Sequence, residues 1–427
     1  MTTPPPPTGL PPHLQAPLFR TRGRRRQQRR LLRPLLAGLL SLASAASAAD
    51  EPPRFALSGF GTFGLTRSDK DNYRFHSSNT QPSSMPGQNF DPSTDSVLGV
   101  QGTARLADKF DLTVQAVTRQ AAGYDYTPHI TWAYLHYRPT PALSLRAGRT
   151  TTPFFMFSDS LNVNYATPWL RPPAEVYSLN PFSDLDGVDA LYRAPLGDMD
   201  LEIQGLAGQS AVLTRSASGR LRNARGIRVG LAGTGFSAQA GYTRTDLQLH
   251  WTDGLHAALG GQLAATGEID AMNELSGIHS NAEFFSAGFQ WEKNNWITIA
   301  EFAKRRVDRY ISTAHAWYIT VGHRIDAFTP YLTYANQTQD NPAFDAAVTA
   351  VHTPLVNLYN NSRNTAQHSL AIGSRWDVAR NIALKGQIER ITPAPHSRGL
   401  FPSGNLEDYY RPTTPVHLLS LSVDFVF

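Results

Sequence analysis

The chain of 427 residues contains no cysteine, which excludes disulfides and thiolate metal centres. Beyond residue 49 it also lacks any run of 18 apolar residues, and helical membrane spans are excluded with it. Acidic residues are missing from the first 49 positions, where eight arginines gather (Arg20, Arg22, Arg24, Arg25, Arg26, Arg29, Arg30 and Arg33). The net charge of +5 belongs to that stretch: removing its eight arginines from the 39 basic residues leaves 31 against 34 acidic ones. A nucleic-acid partner loses its support with the subtraction. No H-E-x-x-H or G-x-S-x-G occurs, and histidines are scattered without ligand spacing. No catalytic, metal or cofactor-binding residues are therefore expected. Gly59-Phe-Gly61-Thr-Phe-Gly64 matches the letters of a dinucleotide fingerprint, but a Ser/Asn/Pro-rich stretch follows it where that site needs a helix. Glycines in a strand more plainly permit bending and close strand approach.

What is present begins with the basic stretch. The apolar run Leu35–Ala43 follows it, then the small residues Ser47-Ala48-Ala49. A basic region, a short apolar region and a small-residue cleavage site make a signal peptide over 1–49, leaving 50–427 as the mature chain. The apolar run is too short to span a bilayer.

At the other end, Leu419, Leu421, Val423, Phe425 and Phe427 alternate with Leu418, Ser420, Ser422, Asp424 and Val426. This period of 2 is a strand with one apolar and one mostly polar face. It fits the closing strand of a soluble β-sandwich or of a membrane barrel, which must pair its last strand with its first. A terminal Phe after such alternation resembles the assembly signal of Gram-negative outer-membrane proteins.

Sixteen segments of strand character run from Phe55–Leu65 to Val416–Phe427, most of them long enough to cross a bilayer when tilted. Trp296–Lys304 is apolar on both faces. Seven short links, Asp108-Lys109 the first, alternate with eight longer loops that include Gln209–Asn223, Leu247–Asn281 and Thr338–Thr365. Tight turns on one side and long loops on the other mark an all-β, transmembrane, up-and-down antiparallel β-barrel of about 16 strands. A Greek-key sandwich has no reason to segregate them. Tyr124, Tyr126, Trp132, Trp291, Trp296 and Trp317 lie near strand ends, where they could form interfacial girdles or serve as core residues.

The third long loop, Thr150–Asp186, is the stretch that looks functional. Its 37 residues include Phe154, Phe155, Met156, Phe157 and Trp169, which gain nothing from exposure to water. The empty volume available to them is the lumen, which is wide in a barrel of this size. The loop is read as folding into it; a flap over the outer mouth or against a neighbouring subunit would bury the same side chains. By alternation Arg105, Arg119, Arg146, Arg193 and Arg228 point inward from the wall.

Sixteen strands, a long third loop and a terminal Phe resemble the Gram-negative general porins. That resemblance implies a constriction where loop acids face wall arginines. Asp159, Glu175, Asp184 and Asp186, with Arg171 among them, would be the loop side, and the five inward arginines the other. Opposed charges there set up a field that filters solutes by charge and dipole. It further implies the cell outer membrane as location, reached by signal-peptide export, and contacts with outer-membrane lipid and with the assembly machinery through the Phe427 strand. Small hydrophilic solutes and ions would be the cargo, and a homotrimer the assembly. The Pro-Glu-Phe-type tip of enterobacterial porin loops is absent, and the second loop, Ala121–Pro128, is short for the latch that joins subunits in that family. The sequence is thus read as a passive diffusion channel. A substrate-selective porin with an aromatic-lined constriction, a barrel enzyme and a soluble periplasmic β-protein are the alternatives.

Overall fold

Alternation of apolar and polar residues gives each segment one face for lipid and one for the interior, and a sheet built from such strands leaves no backbone group unpaired only if it closes. The computed structural model describes residues 54–70, 75–81, 89–123, 125–276, 279–401 and 414–427. The leader over 1–49 and Tyr124 lie outside the described residues. The first eight strands are β1 (Phe55–Ser68), β2 (Val97–Ala107), β3 (Phe110–Arg119), β4 (His129–Thr140), β5 (Leu143–Thr151), β6 (Asp184–Leu196), β7 (Met199–Leu213) and β8 (Ala217–Gly233). The second eight are β9 (Phe236–Trp251), β10 (His279–Lys293), β11 (Trp296–Val307), β12 (Ala314–His323), β13 (Phe328–Gln339), β14 (Gln367–Ala379), β15 (Ile382–Pro393) and β16 (Val416–Val426). Each pairs antiparallel with its sequence neighbours, and β1 pairs β16 to close a sixteen-stranded barrel.

Facing follows the pattern. On β3, Leu112 and Val114 are exposed outward while Asp111, Thr113 and Gln115 are buried inward; on β16, Leu419, Leu421 and Val423 oppose buried Leu418, Ser420 and Ser422. Trp291, Trp296 and Trp317 are exposed on the outside, as an interfacial girdle requires, whereas Trp132 is half-buried and donates to Thr151 Oγ1 at 2.6 Å. Gly59 and Gly61 belong to the seam. Phe427 exchanges backbone hydrogen bonds of 2.8 and 2.9 Å with Gly59, and a Cβ on Gly59 or Gly61 would stand within 2.3 or 2.4 Å of the Phe427 or Phe425 ring. The fingerprint-like glycines make room for two aromatic rings across the closing pair.

The structure differs from the sequence reading at the long-loop end. β7 and β8 continue as a ladder to a three-residue link, 214–216, so Gln209–Asn223 is mostly strand. A ladder satisfies its own hydrogen bonds and can continue past the lipid, where the outward apolar signal stops. The connection after β9 carries helices α2 (Gly254–Ala265) and α3 (Ile269–Ser276), and that after β13 carries α4 (Thr353–Arg363). α1 (Ala174–Tyr177) is a single turn within the third loop. α2, α3 and α4 bury Leu259, Leu263, Leu275, Val356 and Tyr359 against one another and Phe344. Their apolar residues serve a small local core, so no barrel-period pattern announces them.

The interior core is one-sided. Phe154, Phe155, Trp169, Val176, Tyr177 and Leu179 of the third loop pack against inward residues of β10 to β13, among them Phe284, Ile297, Ile299, Tyr318 and Tyr331. The loop does fold into the lumen. This also explains why β11 is apolar on both faces: one meets lipid and the other meets the loop.

One backbone position tests the register. Gly148 in β5 has φ +130°, and a Cβ there would stand 2.3 Å from the Ala133 carbonyl oxygen, while Gly205 in β7 has open space around it. Gly148→Ala should destabilise the barrel by about 1–3 kcal/mol, whereas Gly205→Ala should stay within about 0.5 kcal/mol of the parent. Heat-modifiability on a denaturing gel reads both. Equal midpoints for the two variants would contradict the β4–β5 geometry.

Candidate functional site

Residues 152–183 leave the sheet ladder, and their carbonyls need donors from elsewhere. Two 3-10 turns (Ser158–Ser160 and Asn164–Ala166) and α1 satisfy some of them. The barrel wall supplies donors to five carbonyls. Lys385 Nζ donates to the carbonyls of Asn164 at 2.5 Å and Trp169 at 2.6 Å. Arg375 donates to those of Tyr165 and of Thr167, the latter at 3.2 Å, and Arg305 donates to that of Leu179 at 2.7 Å. Lys385 lies 2.9 Å from Asp424, both fully buried, and Arg375 pairs with Asp377 at 2.7 Å. From the acid side, Glu301 accepts the Met156 N–H at 2.7 Å and the hydroxyls of Tyr177 at 2.9 Å and Tyr318 at 3.3 Å.

Two of the expected loop residues belong to this anchorage. Arg171 is buried: it pairs with Asp95 at 2.5 Å, donates to Ser420 Oγ at 2.6 Å and stands 4.8 Å over the Phe75 ring. Burial opposes its charge, but Asp95 and Glu389 outweigh burial and hold its pKa above the ordinary value. Glu175 is buried in α1, accepts from Gln367 Nε2 at 2.8 Å, and burial raises its pKa. Neither projects into open lumen. Asp184 and Asp186 are not loop residues at all; they open β6. Asp186 is clamped by Arg149 Nε at 2.6 Å and Nη2 at 2.7 Å, and Asp184 lies 3.5 Å from the same guanidinium. Both acids share the strand face of the exposed Val188 and Tyr192, so alternation turns them outward.

Asp159 is different. It is exposed, makes no ion pair among the described residues, and acts electrostatically on Arg146. The wall on that side is arginine-rich. Arg119 donates to Asn162 Oδ1 and Thr80 Oγ1, both at 3.3 Å. Arg146 Nε is 2.9 and 3.0 Å from the two Asp189 oxygens. Arg193 pairs with Glu202 at 2.9 Å, and Arg228 donates to Glu202 and to Gln204 and Gln239 at 3.0 Å. Arg105 lies apart from them, exposed beside the first short turn. Open spaces flank the loop. One of about 570 Å³ is lined by Arg119, Ser158, Asn162 and Asn164, and one of about 480 Å³ by Met156, Phe157, Arg193, Glu202 and Arg228. The structure thus sets Asp159 within electrostatic reach of Arg146 and places Arg119 on one flanking space and Arg193 and Arg228 on the other. Lys385, Arg375, Arg305 and Glu301 escaped the sequence reading as functional residues. Alternation puts Lys385 opposite Ile382, Leu384 and Ile388, which gives its face and says nothing of its partner.

The Gram-negative porin family model matches residues 35–392. No curated protein matches the chain. Among solved structures, the chain is similar to the outer membrane channel DcaP of Acinetobacter baumannii, with 12% identity, a TM-score of 0.53 and coverage of 87% of this chain and 97% of that one. It is similar to OmpF of Salmonella typhi, solved in complex with daunomycin, with 10% identity, a TM-score of 0.51 and coverage of 87% and 97%. The anion-selective porin from Comamonas acidovorans gives 11% identity, a TM-score of 0.51 and coverage of 87% and 99%. At such identities the likeness carries the fold alone.

The anchorage has a direct test. Lys385→Met removes two donors from the loop and leaves Asp424 buried without its counterion, which should cost about 3–5 kcal/mol. The unfolding temperature should fall, and adding Asp424→Asn should restore part of the loss. An unchanged unfolding temperature in the single variant would mean that the loop is held by other contacts.

Proposed function

This chain belongs to the Gram-negative porin family and is an outer-membrane channel, and from that premise we propose that it passes small hydrophilic solutes and ions by passive diffusion. The observation that carries the reading is the one-sided seat of the third loop, with open spaces of about 570 and 480 Å³ beside it. In this reading Asp159 and the side chains of Arg119, Arg146, Arg193 and Arg228 border the narrowest part of the path. No chemical step is involved; the protein supplies a passage and a field.

The charges predict a sign. Arg193 and Arg228 share their space with Glu202 and Asp200, and Arg146 is paired with Asp189, whereas Arg119 donates to the neutral Asn162 and Thr80; that uncompensated wall cation favours anions. The Comamonas acidovorans porin is named for the same preference. We further propose that residues 1–49 direct export, that the Phe427 strand is read by the assembly machinery, and that the barrel works as a homotrimer in outer-membrane lipid. In support of the last, Arg149, Asp184 and Asp186 sit together on an outward strand face, where a protein neighbour is a better medium for charge than lipid.

Planar-bilayer recording tests the channel. Stable conductance steps are expected, with a reversal potential under a salt gradient of the sign for anions. Asp159→Asn should raise the anion-to-cation permeability ratio and Arg119→Gln should lower it, each by about twofold, the scale of an exposed charge interaction. A cation-selective reversal in the parent protein would refute the assignment of these charges, and the absence of steps from a heat-modifiable barrel would refute diffusion.

A further inference from the structure

A third cavity, of about 490 Å³, lies on the long-loop side between the third loop, the tips of β7 to β9 and the start of α2. Its size is that of a site for a small organic molecule. Much of the lining is apolar, with Phe154, Phe182, Leu221, Leu247 and Phe284 all buried around it. Among the described residues, Arg215, Arg305, Arg363 and Arg398 also line it, with the acids Asp253 and Glu283. Arg363 is held by Asp253 at 2.6 Å and lies 3.8 Å over the Trp251 ring.

Arg305 has no such counterion. Its Nη1 donates to the Leu179 carbonyl at 2.7 Å, and Nε and Nη2 donate to that of Ser312 at 3.3 and 3.0 Å. Three of the five N–H groups of a guanidinium are thereby used, and among the described residues no carboxylate pairs with it. A cation enclosed by apolar walls and neutral carbonyls is costly without an anion. His76 adds the complementary polarity. Its Nδ1 meets the Ser78 carbonyl at 2.7 Å, so Nε2 is left as an acceptor, and that atom is buried without a partner. Burial, with the charges of Arg398 and Arg215, pushes the His76 pKa down to about 4, which keeps the ring neutral beside Arg305.

We propose that this cavity binds carboxylates that carry an apolar body, of the aryl-alkyl class, with the carboxylate on Arg305 and the body against Phe154, Phe284, Leu221 and Leu247. A hydroxyl or N–H on such a ligand finds its acceptor at His76 Nε2. The cavity opens on the long-loop side, ahead of the constriction, so it collects these anions before they reach the path. Its role in transport rests on the channel reading above; binding itself does not.

The full mature protein in lipid nanodiscs, titrated with 4-phenylbutyrate, provides the test, with Trp251 in the cavity wall as fluorescent reporter and Trp251→Phe to identify its signal. Saturable binding is expected, at least about tenfold tighter than for acetate or for 4-phenylbutanol, the scale of one charge-assisted hydrogen bond. Arg215→Glu, at an exposed position outside the packing, and Arg305→Gln should each weaken binding severalfold, and Arg305→Lys should retain most of it. Equal binding of 4-phenylbutanol would leave only an apolar crevice, and equal binding of acetate only a diffuse positive field; either overturns the site. Bilayer recording separates the two readings. Binding without conductance keeps the site and removes the channel, while conductance with no 4-phenylbutyrate binding keeps the channel and removes the site.

Discussion

A stretch of chain that leaves a β-ladder takes its carbonyls with it, and inside a barrel those carbonyls must find donors or forfeit burial. Residues 152–183 meet that requirement through the wall. Lys385, Arg375 and Arg305 cap the carbonyls of Asn164, Tyr165, Thr167, Trp169 and Leu179, while Glu301 receives an N–H and a hydroxyl from the loop. The buried aromatics add apolar contact on the same side. With the loop fixed there, open space remains beside it, along Arg119, Ser158 and Asn162 and along Arg193, Glu202 and Arg228.

Much of the architecture was legible because it is written in period 2. Sixteen segments, their faces and the alternation of short turns with long loops all follow from which residues meet lipid and which do not. The misreadings fall where lipid stops supplying the signal. β7 to β10 run on in water, where Leu213 is exposed and Leu221 and Leu247 turn into a small cavity instead. The helices α2, α3 and α4 pack on each other, so nothing in a barrel template marks them.

The loop chemistry was less legible for a different reason. Alternation tells which way a side chain points and leaves its partner unknown. Arg171 and Glu175 sit among apolar neighbours in the sequence and are spent on anchorage, Arg171 through Asp95 and Ser420 and Glu175 through Gln367. Asp184 and Asp186 look like loop acids until the register shows that Thr151 pairs with Asp184 and Arg149 with Asp186, which makes both part of β6. Conversely, the doubly apolar β11 was an ambiguity in sequence and a clue in hindsight. A strand with Ile297 and Ile299 facing a lumen must have something apolar to cover them.

The same division of the lumen into a seated half and a free half bears on how such a chain can change over generations. Arg119, Arg146, Arg193 and Arg228 come from β3, β5, β6 and β8, while the cations that hold the loop come from β11, β14 and β15. In the proposed reading, changes at Arg146, Arg193 and Arg228 can accumulate without touching the contacts from β11, β14 and β15 that hold the loop, whereas Arg119 also donates to Asn162 of the loop. A single scaffold can be retuned to new solutes while its most vulnerable segment stays under an unchanged set of restraints.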